Sequence, residues 1–348
     1  MITKRSVTKF WIEQIHQGQP GKDPLLIERM IWALILVESL KLSGLEFTFK
    51  GGTAVSVLLG EVYRFSIDID IIIEKEVDLK HYLDRVVEHA GFLRWEESKR
   101  EGEIPKQHFK FYFPGSVQNK EFYILLDVLS EENNYAERAE IILSSDFIEQ
   151  EKPFTKLLCP TVPALLGDKM TAFAPNTTGI RYQIEKDLEI AKQLFDIALL
   201  FDHTKHLGVV SKTFGQIATQ ELKYRNLEKK PKDVLLDMLA TATIIGTRGA
   251  GFSSEYSEMM NGIKKLSAFV LKGRFTIEEG IICAGKVACL VAFLLTEQEE
   301  LIKFDQNIDM RSWTIESPSP TKLNKLKKTN PEAFFYFVKA YELLRKDE

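Results

Sequence analysis

Cysteine is scarce in this 348-residue chain, where Cys159, Cys283 and Cys289 are the whole complement, odd in number and without a C-x-x-C pair. A disulfide framework and a zinc ribbon are both excluded, and a reducing cytoplasm is the expected compartment. Histidine is sparse too. His16, His81, His89, His108, His203 and His206 form no H-x-x-x-H pattern with a third ligand nearby, so no histidine-held metal is expected. An excess of one charge is also lacking, since 46 Lys and Arg face 50 Asp and Glu for a formal net charge of -4. Whole-molecule attraction to nucleic acid is therefore not expected, although a local basic patch remains open.

Long apolar runs are missing as well. Met30 to Val37 is far short of the roughly 20 residues that cross a bilayer, and the apolar stretch from Gly280 to Leu295 is interrupted by Lys286, so no membrane span is expected. The amino-terminal MITKRSVTKFWIEQ carries basic residues but no continuous apolar segment, and no secretory leader is expected. There is no internal repeat and no low-complexity segment beyond short lysine-rich stretches near Lys229 and Lys327.

What is present is an ordinary globular composition, 45% hydrophobic and 28% charged, on a chain long enough for two domains. Leu26, Ile27, Met30, Ile31, Leu34, Ile35 and Val37 recur at helical intervals after the Pro20 to Pro24 punctuation. Leu45, Phe47 and Phe49 then alternate as a strand does. A short helix from Thr53 to Leu59 follows, with Gly60 placed to end it. Arg64 to Ile73 reads as a second strand, Leu79 to Ala90 as an amphipathic helix, and Phe109–Phe113 with EFYILLDVL as a β-hairpin around PGSVQNK. From about Thr161 helical periodicity takes over. The chain is expected to be α/β, with strands and helices in residues 1–155 and a mostly helical domain over 156–348.

The segment Lys50 to Asp70 carries the chemistry. It places a glycine pair and a helix start between two strands and then delivers carboxylates at i and i+2, which a strand projects from one face. Two like charges this close repel, and a divalent cation relieves that repulsion; an all-oxygen donor set suits Mg²⁺, which completes its octahedron with water and substrate phosphates. Gly51 and Gly52 leave the backbone open to close approach, and the helix start aims N–H groups and a positive dipole end at an anion. Thr53 either caps that helix or donates its hydroxyl to a phosphate, and Lys50 or Arg64 supplies charge to a triphosphate. Taken singly, Gly-Gly also reads as a plain tight turn and Asp-x-Asp as a solvated strand face. Together they point to nucleotide chemistry, with Asp127, set in the otherwise apolar Tyr123–Leu129, as the candidate third acid or else a salt-bridged aspartate.

The run FKGGTAVSVLLGEVYRFSIDIDIII resembles the signature of the AbiEii/AbiGii-type toxin nucleotidyltransferases, which read K-G-G-T-A-L and then R-F-S-x-D-I-D. The resemblance implies a polymerase-β-like nucleotidyltransferase fold with a mixed sheet in the amino-terminal half. It also implies a toxin of a toxin–antitoxin or phage-defence pair, with NTP as substrate, Mg²⁺ or Mn²⁺ as cofactor, a tRNA 3′ end or other RNA as acceptor, and a cognate antitoxin as partner. On it, Gly51, Gly52 and Thr53 cradle the nucleotide, Ser66 lies beside the metal site, and Asp68 and Asp70 are metal ligands. A weaker match continues through Pro163 to Phe173 and Lys192 to Leu200, giving Lys169 a nucleotide phosphate and Asp196 an orienting or proton-accepting role. Gln193 departs from the aspartate common at that position. The same helix also reads as an ordinary polar face of Glu185, Glu189, Lys192 and Asp196, with Lys192 and Asp196 four apart.

Other surfaces are candidates for RNA. They are the cluster Lys223, Arg225, Lys229, Lys230 and Lys232, the cluster Lys322, Lys325, Lys327 and Lys328, the glycine-flanked Arg248, and the aromatics Phe252 and Tyr256. The alternatives to RNA transfer are a nucleotidyltransferase acting on a protein or small molecule, and a non-catalytic nucleotide-binding or antitoxin-binding protein.

Overall fold

The computed structural model describes residues 1–98, 106–251 and 253–346. Phe252 falls outside them. The chain divides into two compact units, the first comprising residues 1–133, 138–161 and 269–273 and the second comprising 134–137, 162–268 and 274–348.

The first unit opens with α1 (Lys9–Gln17) and α2 (Pro24–Leu42), the latter started by Asp23, whose carboxylate accepts from the Leu25 N–H, and by Pro24 at the first helical position. There follow β1 (Thr48–Lys50), α3 (Gly51–Leu59), β2 (Ile69–Ile73), α4 (Leu79–Ala90), β3 (Arg94–Glu97), β4 (Lys106–Pro114), β5 (Glu121–Ser130), β6 (Arg138–Ile142) and β7 (Lys156–Pro160). The seven strands form one mixed sheet in the order β3-β4-β5-β2-β1-β7-β6. Pairing is parallel between β2 and β5 and between β1 and β7, and antiparallel elsewhere. Strand β7 lies just beyond residue 155, the expected domain boundary, and ends before Thr161, where helical periodicity takes over.

Strand alternation sends Phe49, Ile69, Ile71, Phe109, Phe111, Phe113, Ile124, Leu126 and Val128 into one buried core with the apolar residues of α2 and α4. Trp32 of α2 stacks on Phe113 with ring centroids 4.9 Å apart. The opposite sheet face is the one that carries the polar residues of interest.

Two expectations for this half need correction. The second strand is half as long as Arg64 to Ile73, because residues 64–68 leave the sheet. Tyr63–Phe65 instead runs beside Phe269–Leu271, with an isolated bridge between Arg64 and Val270, a 2.9 Å bond from the Phe65 N–H to the Phe269 carbonyl and a 2.8 Å bond from the Leu271 N–H to the Tyr63 carbonyl. Helix α3 also starts two residues early, so that Lys50 rather than Thr53 is its N-cap residue. Gly60, at φ 67°, ends it as expected.

The second unit is helical: α5 (Val162–Thr171), α6 (Asp187–Asp202), α7 (Gly208–Tyr224), α8 (Pro231–Gly246), α9 (Ser253–Leu266), α10 (Ile277–Leu295), the short α11 (Leu326–Thr329) and α12 (Pro331–Lys346). Helix α10 is buried on most sides, and its Thr276 cap forms a reciprocal capping box with Glu279. Among the described residues no helix is long and apolar enough to cross a membrane.

All three cysteines are free and buried, and burial pushes each thiol up to about 12. Thiolate is therefore negligible at pH 8. A thiol reagent is expected to leave the native protein unmodified over minutes and to label three sites once denaturant is added; fast labelling of the native state would contradict the packing around them.

Candidate active site

The turn between β1 and α3 is built by contact with acids and a base rather than by chain reversal alone. Gly51 has φ +80°, and a Cβ added there would lie 2.1 Å from Oδ2 of Asp70. Only glycine takes that backbone shape without strain and leaves room for the carboxylate. A Cβ on Gly52 would lie 2.7 Å from both Nη2 of Arg64 and Oγ of Ser66. The glycine pair is thus the point where Asp70, Arg64 and Ser66 converge. Arg64 is buried and donates from Nη1 to its neighbour Phe65's carbonyl at 2.9 Å.

Thr53 sits at the third position of α3, fully buried, and its hydroxyl donates to the Asp68 carbonyl at 2.8 Å. That bond ties the helix to the approach to β2 and so places Asp68, an exposed residue just ahead of the strand. Asp70 is the next residue on that strand but one, half-buried.

Strand register then lines up a row of polar side chains across four adjacent strands. Lys50 of β1 pairs with Asp70 of β2, Asp70 with Asp127 of β5, and Asp127 with His108 of β4. Directly paired residues share a face, so the cation, the two carboxylates and the imidazole form one line. His108 Nδ1 lies 2.7 Å from Asp127 Oδ1. Asp127 is therefore partnered by a histidine that no sequence spacing singles out, within an otherwise apolar strand.

The donor set of Asp68, Asp70 and Asp127 is all oxygen, as a hard divalent cation prefers. Among the described residues no three or more His, Cys, Asp or Glu side chains are grouped so that they alone could hold a metal ion. Such a set fits Mg²⁺, which takes much of its shell from water and phosphate, better than zinc, which needs a near-complete protein shell.

In the second unit, Lys169 of α5 and Asp196 of α6 form an ion pair of 3.0 Å with side-chain exposures of 9% and 1%. Gln193, one turn before Asp196, accepts from Lys169 Nζ at 3.3 Å. This neutral amide thus serves the ammonium without adding a second charge. The polar-face alternative for α6 does not hold for Asp196, which is sealed from solvent, while Lys192 pairs with Glu189 at 3.8 Å. Arg248 is held by Glu278 at 2.6 Å, and Tyr256 packs against Gly249.

Residues 34–266, more than half of the chain, match the family of nucleotidyl transferase AbiEii toxins of type IV toxin–antitoxin systems. That family is one of nucleotidyltransferases. The chain belongs to the AbiEii family, as the run from Phe49 to Ile73 led one to expect. Among solved structures it is similar to JHP933 from Helicobacter pylori, at 14% identity over 78% of this chain and 93% of that one, with a TM-score of 0.47. It is also similar to an antigenic nucleotidyltransferase-like protein from Paracoccidioides brasiliensis, at 14% identity over 66% and 93% of the two chains, with a TM-score of 0.39. No curated protein matches.

Proposed function

We propose that this nucleotidyltransferase toxin transfers a nucleoside monophosphate from an NTP to the 3′ end of an RNA, a tRNA foremost, with Asp68, Asp70 and Asp127 holding Mg²⁺ or Mn²⁺. The observation that supports this most is the in-register Lys50–Asp70–Asp127–His108 row beside the Gly51-Gly52 turn. A bound divalent cation would supply charge neutralisation between the carboxylates and the triphosphate oxygens.

The chain's own residues do the rest. The glycine turn and the start of α3 receive phosphate oxygens, aided by the charges of Lys50 and Arg64 and by the Ser66 hydroxyl. Lys169 is assigned to a nucleotide phosphate, with Asp196 and Gln193 fixing its ammonium. The acceptor hydroxyl oxygen bonds to the α-phosphorus, the α–β bridging P–O bond breaks and pyrophosphate leaves. The hydroxyl proton passes to the Asp127 carboxylate, which His108 holds in place. A cognate antitoxin is the expected partner of such a toxin.

The test is transfer of label from each radioactive NTP into total tRNA, cell protein and small molecules. Wild-type protein is expected to label RNA, and Asp68→Asn to lose at least about 10²- to 10³-fold in rate while keeping its melting temperature. Wild-type labelling by Asp68→Asn would remove Asp68 from the reaction, and label confined to protein would change the acceptor.

A further inference from the structure

The face of the sheet that carries the acid row continues into a second feature that the reaction as described does not use. On β4, His108, Lys110 and Tyr112 share that face, and on β5 so do Asp127, Leu125 and Tyr123; the pairs are His108 with Asp127, Lys110 with Leu125, and Tyr112 with Tyr123. Strand β3 extends the lattice, pairing Glu96 with Lys110 and Arg94 with Tyr112. The aromatic row therefore lies four residues along the strands from the acid row, about 13 Å away at the usual rise.

Its side chains form a tilted aromatic pair with cations over the rings. The rings of Tyr112 and Tyr123 have centroids 5.9 Å apart. The Arg94 guanidinium lies 3.9 Å above Tyr112, while Lys110 Nζ and the Arg29 guanidinium lie 5.0 and 5.7 Å from the Tyr123 ring. Glu96 accepts from the Tyr112 hydroxyl at 2.9 Å and from Arg94 at 3.0 Å, and Glu121 accepts from Arg94 at 2.7 Å. These glutamates hold the guanidinium over the ring. Tyr123 remains 37% exposed, a large ring presented to solvent beside two cations.

Bases of a single strand stack on such rings and on guanidinium planes, and the cations meet the phosphates between them; sheet-based RNA binders seat about two or three bases in this way. A cross-strand Tyr pair kept only for sheet stability has no need of three cations converging on it. We infer that the outer face of β3, β4 and β5, with Tyr123, the Arg94–Tyr112 pair and Lys110, and with Arg29 of α2 beside the Tyr123 ring, is the seat of the unpaired nucleotides that precede the acceptor 3′ end. This rests on the RNA-acceptor reading above and assigns that RNA a path along the sheet to the acid row. The chemistry is sequence-tolerant, because every base has a π face.

The experiment uses the full chain and a 5′-fluorescent single-stranded RNA octamer, followed by anisotropy, together with KM for the same octamer in the transfer reaction. Tyr123→Ala is expected to raise the Kd for the octamer about 5- to 100-fold and KM for it by a similar factor. Tyr123→Phe, which keeps the ring, restores both. Lys110→Ala is expected to weaken binding and to lower the salt slope by about one. NTP affinity measured without RNA stays at the wild-type value in each variant, reporting an intact fold. Octamer binding by Tyr123→Ala and Lys110→Ala within two-fold of wild type, with transfer to RNA retained, overturns the platform alone. Wild-type protein that neither binds nor labels the octamer but labels another acceptor overturns the RNA reading and the platform with it.

Discussion

Asp196→Ala is expected to cost the protein about 3–5 kcal/mol, a fall of roughly 6–20 °C in melting temperature, because it leaves the Lys169 ammonium buried without its counter-charge. Gln193 can still accept one hydrogen bond from Lys169, but a neutral amide does not neutralise a cation. The double variant Lys169→Met with Asp196→Leu removes both charges and refills the space, so it should regain most of that stability. Transfer activity should stay lost in the double variant if Lys169 serves a phosphate. Recovery of activity along with stability would reduce the pair to a structural one. Thermal melts of the wild type, Asp196→Ala and the double variant, each assayed for NTP affinity, separate these outcomes.

Gly51→Ala acts at a different level. The added methyl has to occupy a left-handed backbone position, at about 1–2 kcal/mol, and it has to displace a carboxylate oxygen that lies 2.1 Å from its ideal place. Asp70 moves or the turn does. Misplacing a reacting group by an ångström costs about 10²-fold in rate, so transfer should fall by at least that much while the melting temperature drops only a few degrees. A variant with wild-type turnover would mean that the Gly51–Asp70 approach is packing and nothing more.

The parts of the fold that show in the sequence are those with an uninterrupted period. Helices α2 and α4 and the β4–β5 hairpin are legible because each repeats its apolar positions often enough to fix a face. Strands β3 (Arg94–Glu97) and β6 (Arg138–Ile142) are not, because both are short, mostly exposed and rich in charge, as edge strands tend to be. The overextended second strand has another cause. Ser66-Ile-Asp-Ile-Asp alternates like a strand, but the neighbour of Tyr63–Phe65 comes from residues 269–271, some two hundred positions later, and nothing local announces it.

The candidate site divides along the same line. Its acids announce themselves through spacing and the glycine pair. His108 does not, since a lone histidine in a strand carries no signal of its own. Register would have found it, because the hairpin that sets Phe113 opposite Phe122 also sets His108 opposite Asp127 when counted back from the turn. The Lys169–Gln193 bond was likewise out of reach, because it depends on how α5 and α6 pack.

The return of residues 269–273 to the sheet-bearing unit also bears on synthesis. Translation delivers the Gly51-Gly52 turn and all three acids early, yet the segment that braces Arg64 emerges only after five helices of the second unit have been made. A polypeptide interrupted between Asp127 and Phe269 carries all three acids but lacks that brace, so such incomplete products are built without a finished support for the arginine under the turn.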